Sequence, residues 1–178
     1  MPPATTHVAS AFEDLLAVHR GIVLKIAASY CHGPEDRADL VQDIHLQLWR
    51  AWPSYEASRT FSTWMYRVAL NVAISHRRVR SRQGQLEALD EAHESLVGAD
   101  DVDAAARQQL ALVERAMREV DPLDRALLVL HLEGCSHREI GEVMGISESN
   151  AATRLGRIRQ QLRRSVGATE QENDHGIG

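Results

Sequence analysis

The sequence predicts an all-α fold made of two small helical domains joined by a flexible acidic linker. Apolar residues recur at intervals of three and four along most of the chain, which is helical spacing. No two segments show the alternating pattern of a strand pair. Seven acidic residues and no Lys or Arg fall between residues 87 and 103, which separates two helical modules.

Composition sets limits on the class of protein. The 178 residues suit one domain or two small ones, and a hydrophobic fraction of 44% supports a packed core. The net charge of -5 argues against a general nucleic-acid binder, so the distribution of charge matters more than its sum. Residues 1–10 are polar and no apolar run approaches the roughly 20 residues that span a bilayer, so we expect a cytoplasmic protein without membrane insertion.

The two cysteines lie far apart, at Cys31 and Cys135. Each has a histidine nearby, but neither pair has the spacing of a zinc site. The alternative is that both are small buried hydrophobes beside solvated histidines. We therefore expect no metal and no cofactor.

The first module is expected at residues 11–82, after a disordered segment at residues 1–10. Its first helix ends where Gly33-Pro34 interrupts the pattern. The second helix covers about residues 35–51 and ends before Pro53, because a residue preceding proline avoids the helical region. Residues 54–60 are expected to form a loop, and the third helix covers about residues 61–80. The stripe predicted to be buried in the first helix comprises Phe12, Leu15, Leu16, His19, Ile22, Val23, Ile26 and Ala27.

An acidic linker is expected at residues 83–104; the simpler interpretation of its charge is a solvated tether. The second module, residues 105–165, begins with a helix at residues 105–120. Asp121 is expected to cap the next helix, with Pro122 at its first position. Ser136 and Glu139 match a capping box, and Ser147 caps the last helix. Its buried face comprises Ala151, Leu155, Ile158 and Leu162, and residues 166–178 form a frayed polar tail.

The stretch DLVQDIHLQLW, from Asp39 to Trp49, has two different faces. Its buried face is predicted to comprise Leu40, Val41, Ile44, Leu48 and Trp49. The side chains of Asp39, Gln42 and Asp43 fall on another face, at positions i, i+3 and i+4. This helix therefore presents a patch of carboxylates and an amide, which is either a docking surface or an ordinary solvated face.

The third helix is strongly basic, with six Arg and no acid between residues 59 and 82. Such a helix can follow a phosphate backbone, and aromatic side chains on it can stack with bases. Trp64 falls in the stripe predicted as core, whereas Tyr66 is expected to be more open. That stripe comprises Phe61, Trp64, Met65, Val68 and Val72.

The segment from residue 136 to residue 164 has the parts of a helix-turn-helix, in which the second helix enters the major groove. The side of its last helix opposite the apolar stripe carries residues suited to guanine, adenine or phosphate, and the alternative is an amphipathic helix with a solvated Arg face. These residues are Asn150, Arg154, Arg157, Gln161 and Arg164. No P-loop, GxGxxG, HExxH or GxSxG is present, so we do not expect an enzyme.

With these motifs, the chain resembles the extracytoplasmic-function (ECF) group of bacterial sigma-70-type sigma factors. The segment ADLVQDIHLQLWRAW resembles the family's segment that binds core RNA polymerase. FSTWMYRVALNVAISHRR resembles its promoter-melting helix, which reads the −10 element. The segment from Asp121 to Leu162 is similar to its domain that reads the −35 element.

The resemblance implies a transcription initiation factor, a monomer when free, that binds core RNA polymerase and promoter DNA and is held by an anti-sigma factor. The implied polymerase-binding residues are Asp39, Leu40, Gln42, Asp43 and Leu46. The loop at residues 54–60 would hold a base flipped out of the −10 element. The implied −10 residues are Ser54, Tyr55, Arg59, Thr60, Tyr66, Arg67, Asn71, Arg77 and Arg78. Those for the −35 element are Ser149, Asn150, Thr153, Arg154 and Arg157.

The sequence departs from the family pattern at two positions of the recognition helix. Ala152 stands where many members have a basic residue, and the small Gly156 lies between Leu155 and Arg157. Either the −35 sequence differs from the family's common purine-rich one, or its recognition depends on Asn150 and backbone contacts. A glycine at position 156 inside the helix suggests close backbone approach, here to DNA. One alternative is a stand-alone helix-turn-helix regulator, which would need neither the Asp39 patch nor the basic third helix. Another is an all-helical interaction protein or metal sensor, which would show no salt-dependent DNA affinity.

Overall fold

The computed structural model describes the backbone of residues 4–82 and 120–174, and the side chains of residues 11–81 and 120–164. Within these ranges it contains six α-helices and one 3₁₀ turn, and no strand. The chain divides into two compact units, one built from the first three helices and one centred on the last three. This confirms the all-α prediction. The acidic linker and the helix expected at residues 105–120 lie outside the described residues, apart from Val120.

The first unit packs three helices on one another: α1 (Ala4–Tyr30), α2 (Pro34–Ala51) and α3 (Phe61–Arg82). A 3₁₀ turn at Trp52–Ser54 follows α2. Because α3 contacts both α1 and α2, its buried face is wide. The buried residues of α3 are Phe61, Met65, Tyr66, Ala69, Leu70, Ala73 and Ile74.

The start of α2 follows from its first residues. Gly33 occupies the N-cap position in an extended conformation, and Pro34 begins the helix, where its missing N–H leaves no bond unmade. Glu35 and Asp36 lie in the first turn, and Arg50 lies in the last, which matches the helix dipole at both ends. The predicted bounds of α2, residues 35–51, are confirmed to within one residue.

The second unit contains α4 (Pro122–Leu132), α5 (His137–Met144) and α6 (Glu148–Asp174). All three predicted caps are present. The Asp121 carboxylate accepts the Leu123 N–H at 2.9 Å, and Ser136 with Glu139 forms the complete capping box. The Ser147 hydroxyl accepts the Asn150 N–H at 3.2 Å. Each cap satisfies an N–H that the helix itself leaves unpaired.

Two glycines shape the turn between α5 and α6. Gly145 has a φ of 69°, a left-handed conformation that favours glycine and ends α5. Gly141 is buried, and a Cβ there would lie 2.7 Å from the carbonyl oxygen of Ile146. The backbone after the turn therefore packs directly on α5.

The structure differs from the predictions at the two ends of the chain. Residues 4–10, expected to be disordered, belong to α1, and residues 166–174, expected to be a frayed tail, belong to α6. Ser10 with Glu13 matches a capping box and Gly167 disfavours a helix, but no proline interrupts either stretch. The two helices therefore continue beyond their apolar stripes.

Candidate functional site

The outer face of α2 carries the acidic and amide patch predicted from the sequence. The Asp39, Gln42 and Asp43 side chains are all exposed, and Leu46 beside them is 46% exposed. The opposite face holds Leu40, Ile44 and Leu48, which are fully buried. We call the exposed set, together with Trp49, the α2 outer face.

Leu40 and Trp49 of α2 each differ from one prediction. Leu40 is 0% exposed, as the helical spacing predicts, so the direct polymerase contact that the resemblance implied for it is replaced by support of the helix from its buried side. Trp49, expected in the core, is 51% exposed and meets Phe12 edge-on, with ring centroids 5.4 Å apart. Trp49 lies three residues after Leu46, on the same side of the helix. The α2 outer face therefore combines carboxylates and an amide with two apolar side chains.

A groove of about 760 Å³ runs between α2 and α3 beside this face. Asp43 lies on its rim, and its carboxylate is 3.8 Å from Nδ1 of His76 on α3. Near the C-terminal end of α3, the Arg80 guanidinium pairs with the Asp36 carboxylate. These contacts tie the patch-bearing helix to the basic helix, so the α2 outer face is held on a rigid support.

A second concavity, of about 360 Å³, lies where the loop after α2 meets α3. We call it the loop pocket. Its wall includes most of the predicted −10 residues of this region together with Trp64: Ser54, Tyr55, Arg59, Trp64, Arg67 and Asn71. Thr60 lies at the end of the loop, where its hydroxyl is 2.6 Å from that of Thr63.

Hydrogen bonds within the chain shape this loop. The Tyr55 hydroxyl donates to the Arg59 carbonyl at 3.0 Å, and the Ser54 hydroxyl donates to the Ala51 carbonyl at 2.6 Å. The Tyr55 ring stacks on Trp52 with centroids 5.2 Å apart, and its centroid is 5.3 Å from that of Trp64. Tyr55 and Trp64 therefore give the pocket aromatic walls, and cationic and amide side chains and the Glu56 carboxylate line the rest, which suits a planar aromatic ligand.

The basic helix α3 is rotated relative to the sequence prediction. Tyr66, expected to be open and available to bases, is 8% exposed, because α3 packs on two neighbours and its buried face reaches that position. Conversely, Trp64, Val68 and Val72, expected in the core, are only half-buried and line the two concavities. Arg67, Asn71 and Arg78 are exposed as predicted, and Arg77 is half-buried.

In the second unit, α6 presents an exposed polar face opposite its buried residues. The side chains of Ser149, Asn150, Thr153 and Arg157 are all exposed, whereas Ala151, Leu155 and Ile158 are buried. The Thr153 hydroxyl donates to the Ser149 carbonyl at 2.8 Å. Four of the five predicted −35 residues therefore lie on the accessible surface of the helix.

The fifth, Arg154, is placed differently. Its Nε donates to Oδ1 of Asp124 at 2.9 Å, its Nη2 pairs with the same oxygen, and its side chain is only 29% exposed. A second cross-helix contact, from Nη2 of Arg159 to Nε2 of His131 at 2.6 Å, also joins α6 to α4. Neither Asp124 nor Arg159 was identified from the sequence, because their partners lie far away along the chain.

The two cysteines are both free thiols that are at least partly buried. Cys31 is buried, and burial followed by the nearby Glu139 and Glu133 carboxylates raises the pKa of the Cys135 thiol. Within the part of the chain that the structure describes, no group of three His, Cys, Asp or Glu side chains is arranged to hold a metal ion. Among the described helices, none is both long and apolar enough to cross a membrane.

Comparisons with known proteins match both units. The family model for Sigma-70 region 2 matches residues 15–83, and the model for Sigma-70, region 4 matches residues 110–162. The chain is 32% identical over 163 residues to the RNA polymerase sigma factor CnrH of Cupriavidus metallidurans, covering 85% of this chain and 84% of that protein. It is 24% identical over 166 residues to the ECF RNA polymerase sigma factor SigW of Bacillus subtilis, covering 88% and 89% of the two chains.

A solved structure is similar over nearly the whole chain. CnrH in complex with the cytosolic domain of CnrY superposes with a TM-score of 0.65 at 26% identity. The match covers 92% of this chain and 94% of that one.

Proposed function

The chain belongs to the ECF group of the sigma-70 family of RNA polymerase sigma factors, and we propose that its two units divide promoter recognition between them. As a transcription initiation factor it brings core RNA polymerase to promoters. The first unit binds the polymerase and opens the −10 element. The second unit reads the −35 element as duplex DNA. It acts in the cytoplasm, where the polymerase and its promoters are.

The observation that carries this proposal is the α2 outer face. Asp39, Gln42 and Asp43 offer carboxylates and an amide on a rigid helix, and Leu46 and Trp49 add exposed apolar area. Charged and polar groups give such an interface its specificity, while the aromatic and aliphatic side chains supply burial. The complementary surface on the polymerase would carry basic and amide side chains. A stand-alone DNA-binding regulator has no use for this face.

The loop pocket suits a base taken out of the DNA stack. Its aromatic walls can stack against a base, Asn71 can hydrogen-bond to a base edge, and Arg59 and Arg67 can hold the flanking phosphates. Arg77 and Arg78 continue the basic surface along α3. Holding one flipped base would stabilise the opened −10 strand.

The exposed face of α6 suits the edges of duplex DNA. An arginine fits guanine and an asparagine fits adenine in the major groove, and Arg157 and Asn150 are both exposed there. Gly156 has nothing within 4 Å of the position a Cβ would take, so close approach at this point would come from the DNA itself. The −35 preference then depends on Ser149, Asn150, Thr153 and Arg157.

The acidic segment at residues 83–104 would connect the two units, and its carboxylates would occupy the polymerase channel until the transcript displaces them. An anti-sigma factor would hold the free monomer inactive by covering the same helical faces. The solved complex of CnrH with the cytosolic domain of CnrY shows that a relative binds a protein partner.

Transcription from a reconstituted holoenzyme tests this division of roles. Arg67→Ala with Asn71→Ala should lower transcription from a duplex promoter by about tenfold, because the pocket no longer holds the flipped base. A template whose −10 element is already unpaired should recover most of the loss. Arg20→Ala, which removes an exposed charge from α1, is the matched control and should transcribe like the wild type.

Equal losses on duplex and pre-opened templates would contradict a role of the pocket in melting. A wild-type chain that supports no promoter-specific transcription with core polymerase would contradict the proposed function as a whole.

A further inference from the structure

Arg154 lies at the border of the buried stripe of α6 and not at the centre of the exposed face. It follows Ala151 by three residues and precedes Ile158 by four, and both of these are buried. Residues at these intervals lie on the same side of a helix. The side chain of Arg154 therefore points along the seam between α6 and α4, while Arg157 is exposed on the outer side.

The partner of Arg154 is well placed to keep it there. Asp124 lies in the first turn of α4, where the helix dipole favours a carboxylate. Its Oδ1 accepts from both Nε, at 2.9 Å, and Nη2 of Arg154. The two side chains are 29% and 30% exposed, so solvent screens this pair less than a surface pair. To reach a base edge, the guanidinium would have to give up both hydrogen bonds.

A second contact lies on the other border of the same buried stripe. Arg159 follows the buried Ile158 directly, and its Nη2 donates to Nε2 of His131 near the end of α4 at 2.6 Å. Arg154 and Arg159 thus contact α4 from opposite sides of the stripe. Two such contacts restrict rotation of α6 about its own axis, which apolar packing alone restricts less.

We propose that Arg154 is a positioning residue, which with Asp124 fixes the orientation of the recognition helix, and that base selection rests on the exposed residues around Arg157. This inference rests on the proposed function of α6 as the −35-reading helix. The pair is neutral as a unit, so Arg154 contributes little to the attraction of DNA phosphates. Loss of the Arg154 side chain would turn or loosen α6 and so weaken all of its base contacts together.

Promoter selection by the complete holoenzyme tests this assignment. The template is a library of promoter fragments with a fixed −10 element and a randomised −35 element, and the transcripts give the base preference at each position. We expect Arg154→Ala and Asp124→Ala each to lower transcription about threefold to tenfold on all templates without changing the base preferred at any position. The double variant should lose no more than either single variant, because the two side chains act as one unit.

Salt dependence distinguishes a positioning role from a direct contact with a DNA phosphate. Binding of a −35 duplex by the holoenzyme should keep the same salt slope in Arg154→Ala, whereas Arg157→Ala should lose preference at one base position or reduce the slope by about one phosphate contact. Arg163→Ala removes a charge from an exposed site on the same helix and should leave the −35 preference unchanged.

Circular dichroism at the assay temperature establishes that each variant is folded. Arg154→Lys, which keeps the charge but cannot make the forked contact, replaces the alanine variant if that one fails to fold. The assignment is overturned if Arg154→Ala abolishes preference at one base position, or if the losses from Arg154→Ala and Asp124→Ala simply add. A wild-type holoenzyme without any −35 preference would instead contradict the proposed function.

Discussion

The two units of the molecule organise their surfaces with different chemistry. All eight Phe, Trp and Tyr residues of the chain lie between residues 12 and 66, and none lies in the second unit. In the first unit, Trp52, Tyr55, Phe61 and Trp64 form one aromatic cluster, and two of its members, Tyr55 and Trp64, line the loop pocket. In the second unit, helix caps, glycines and two cross-helix contacts of arginine side chains set the geometry. Stacking surfaces suit an opened strand, whereas oriented polar groups suit the edges of a duplex.

The largest expected effect comes from removing the centre of the aromatic cluster. Phe61 is 6% exposed, and its ring centroid is 5.4 to 6.2 Å from those of Trp64, Tyr55 and Trp52. Phe61→Ala should lower the free energy of unfolding of the first unit by about 3–5 kcal/mol, because it leaves a cavity inside the aromatic cluster.

Tryptophan fluorescence during urea unfolding measures this effect, because all three tryptophans lie in the first unit. Leu132→Ala in the second unit, at a side chain 71% exposed, is the control and should leave the transition in place. If Phe61→Ala changes the midpoint no more than the control, the aromatic cluster is not the support of this unit.

Alanine substitutions at two glycines of the second unit should change its stability by smaller amounts and in opposite directions. Gly141→Ala should destabilise it by about 1–3 kcal/mol, because the new Cβ would meet the Ile146 carbonyl oxygen at 2.7 Å. Gly156→Ala has open space around the new Cβ and should stabilise α6 by about 1 kcal/mol.

Urea unfolding followed by circular dichroism gives both values. If Gly156 permits close approach of DNA, Gly156→Ala should also weaken binding of the −35 duplex although the protein is more stable. Equal stability changes in the two glycine variants would mean that the turn between α5 and α6 is not tightly packed.

The smallest effect concerns the capping box and depends on pH. Hydrogen bonds from the Ser136 side chain and then its backbone N–H lower the pKa of Glu139 below its ordinary value. A carboxyl group whose pKa is lowered by folding stabilises the protein above its unfolded-state pKa, and this contribution is lost as the pH falls through the folded-state pKa.

Glu139→Gln should therefore reduce stability near neutral pH and have less effect as the carboxylate of the wild type becomes protonated. Thermal unfolding of both proteins at a series of pH values measures the difference. Glu13→Gln, the same change at an exposed site on α1, is the control. A difference that stays constant from neutral to strongly acidic pH would contradict this account of the cap.

Local signals in the sequence predicted the local structure well. The caps at Asp121, Ser136 and Ser147 are confirmed, because a cap depends on residues within one turn. Helix bounds in the first unit also follow from Gly33, Pro34 and Pro53. In contrast, the helical periodicity of the sequence does not predict that two helices extend over residues 4–10 and 166–174.

Errors arose where a property depends on how helices meet. The periodicity of α2 and α3 predicts that a buried face exists, but the neighbours decide how wide it is and where it is centred. This is why Tyr66 is buried and Trp49 is exposed. The contacts of Arg154 with Asp124 and of Asp43 with His76 join residues about 30 positions apart, so no local pattern indicates them.

Binding to core RNA polymerase tests the central claim most directly. The purified chain should co-elute with bacterial core polymerase in gel filtration, and Asp43→Arg should abolish co-elution while its circular dichroism spectrum stays that of the wild type. Asp14→Arg, the same change at an exposed site on α1, should still co-elute. If Asp43→Arg binds the polymerase as well as the wild type does, the α2 outer face is not the docking surface.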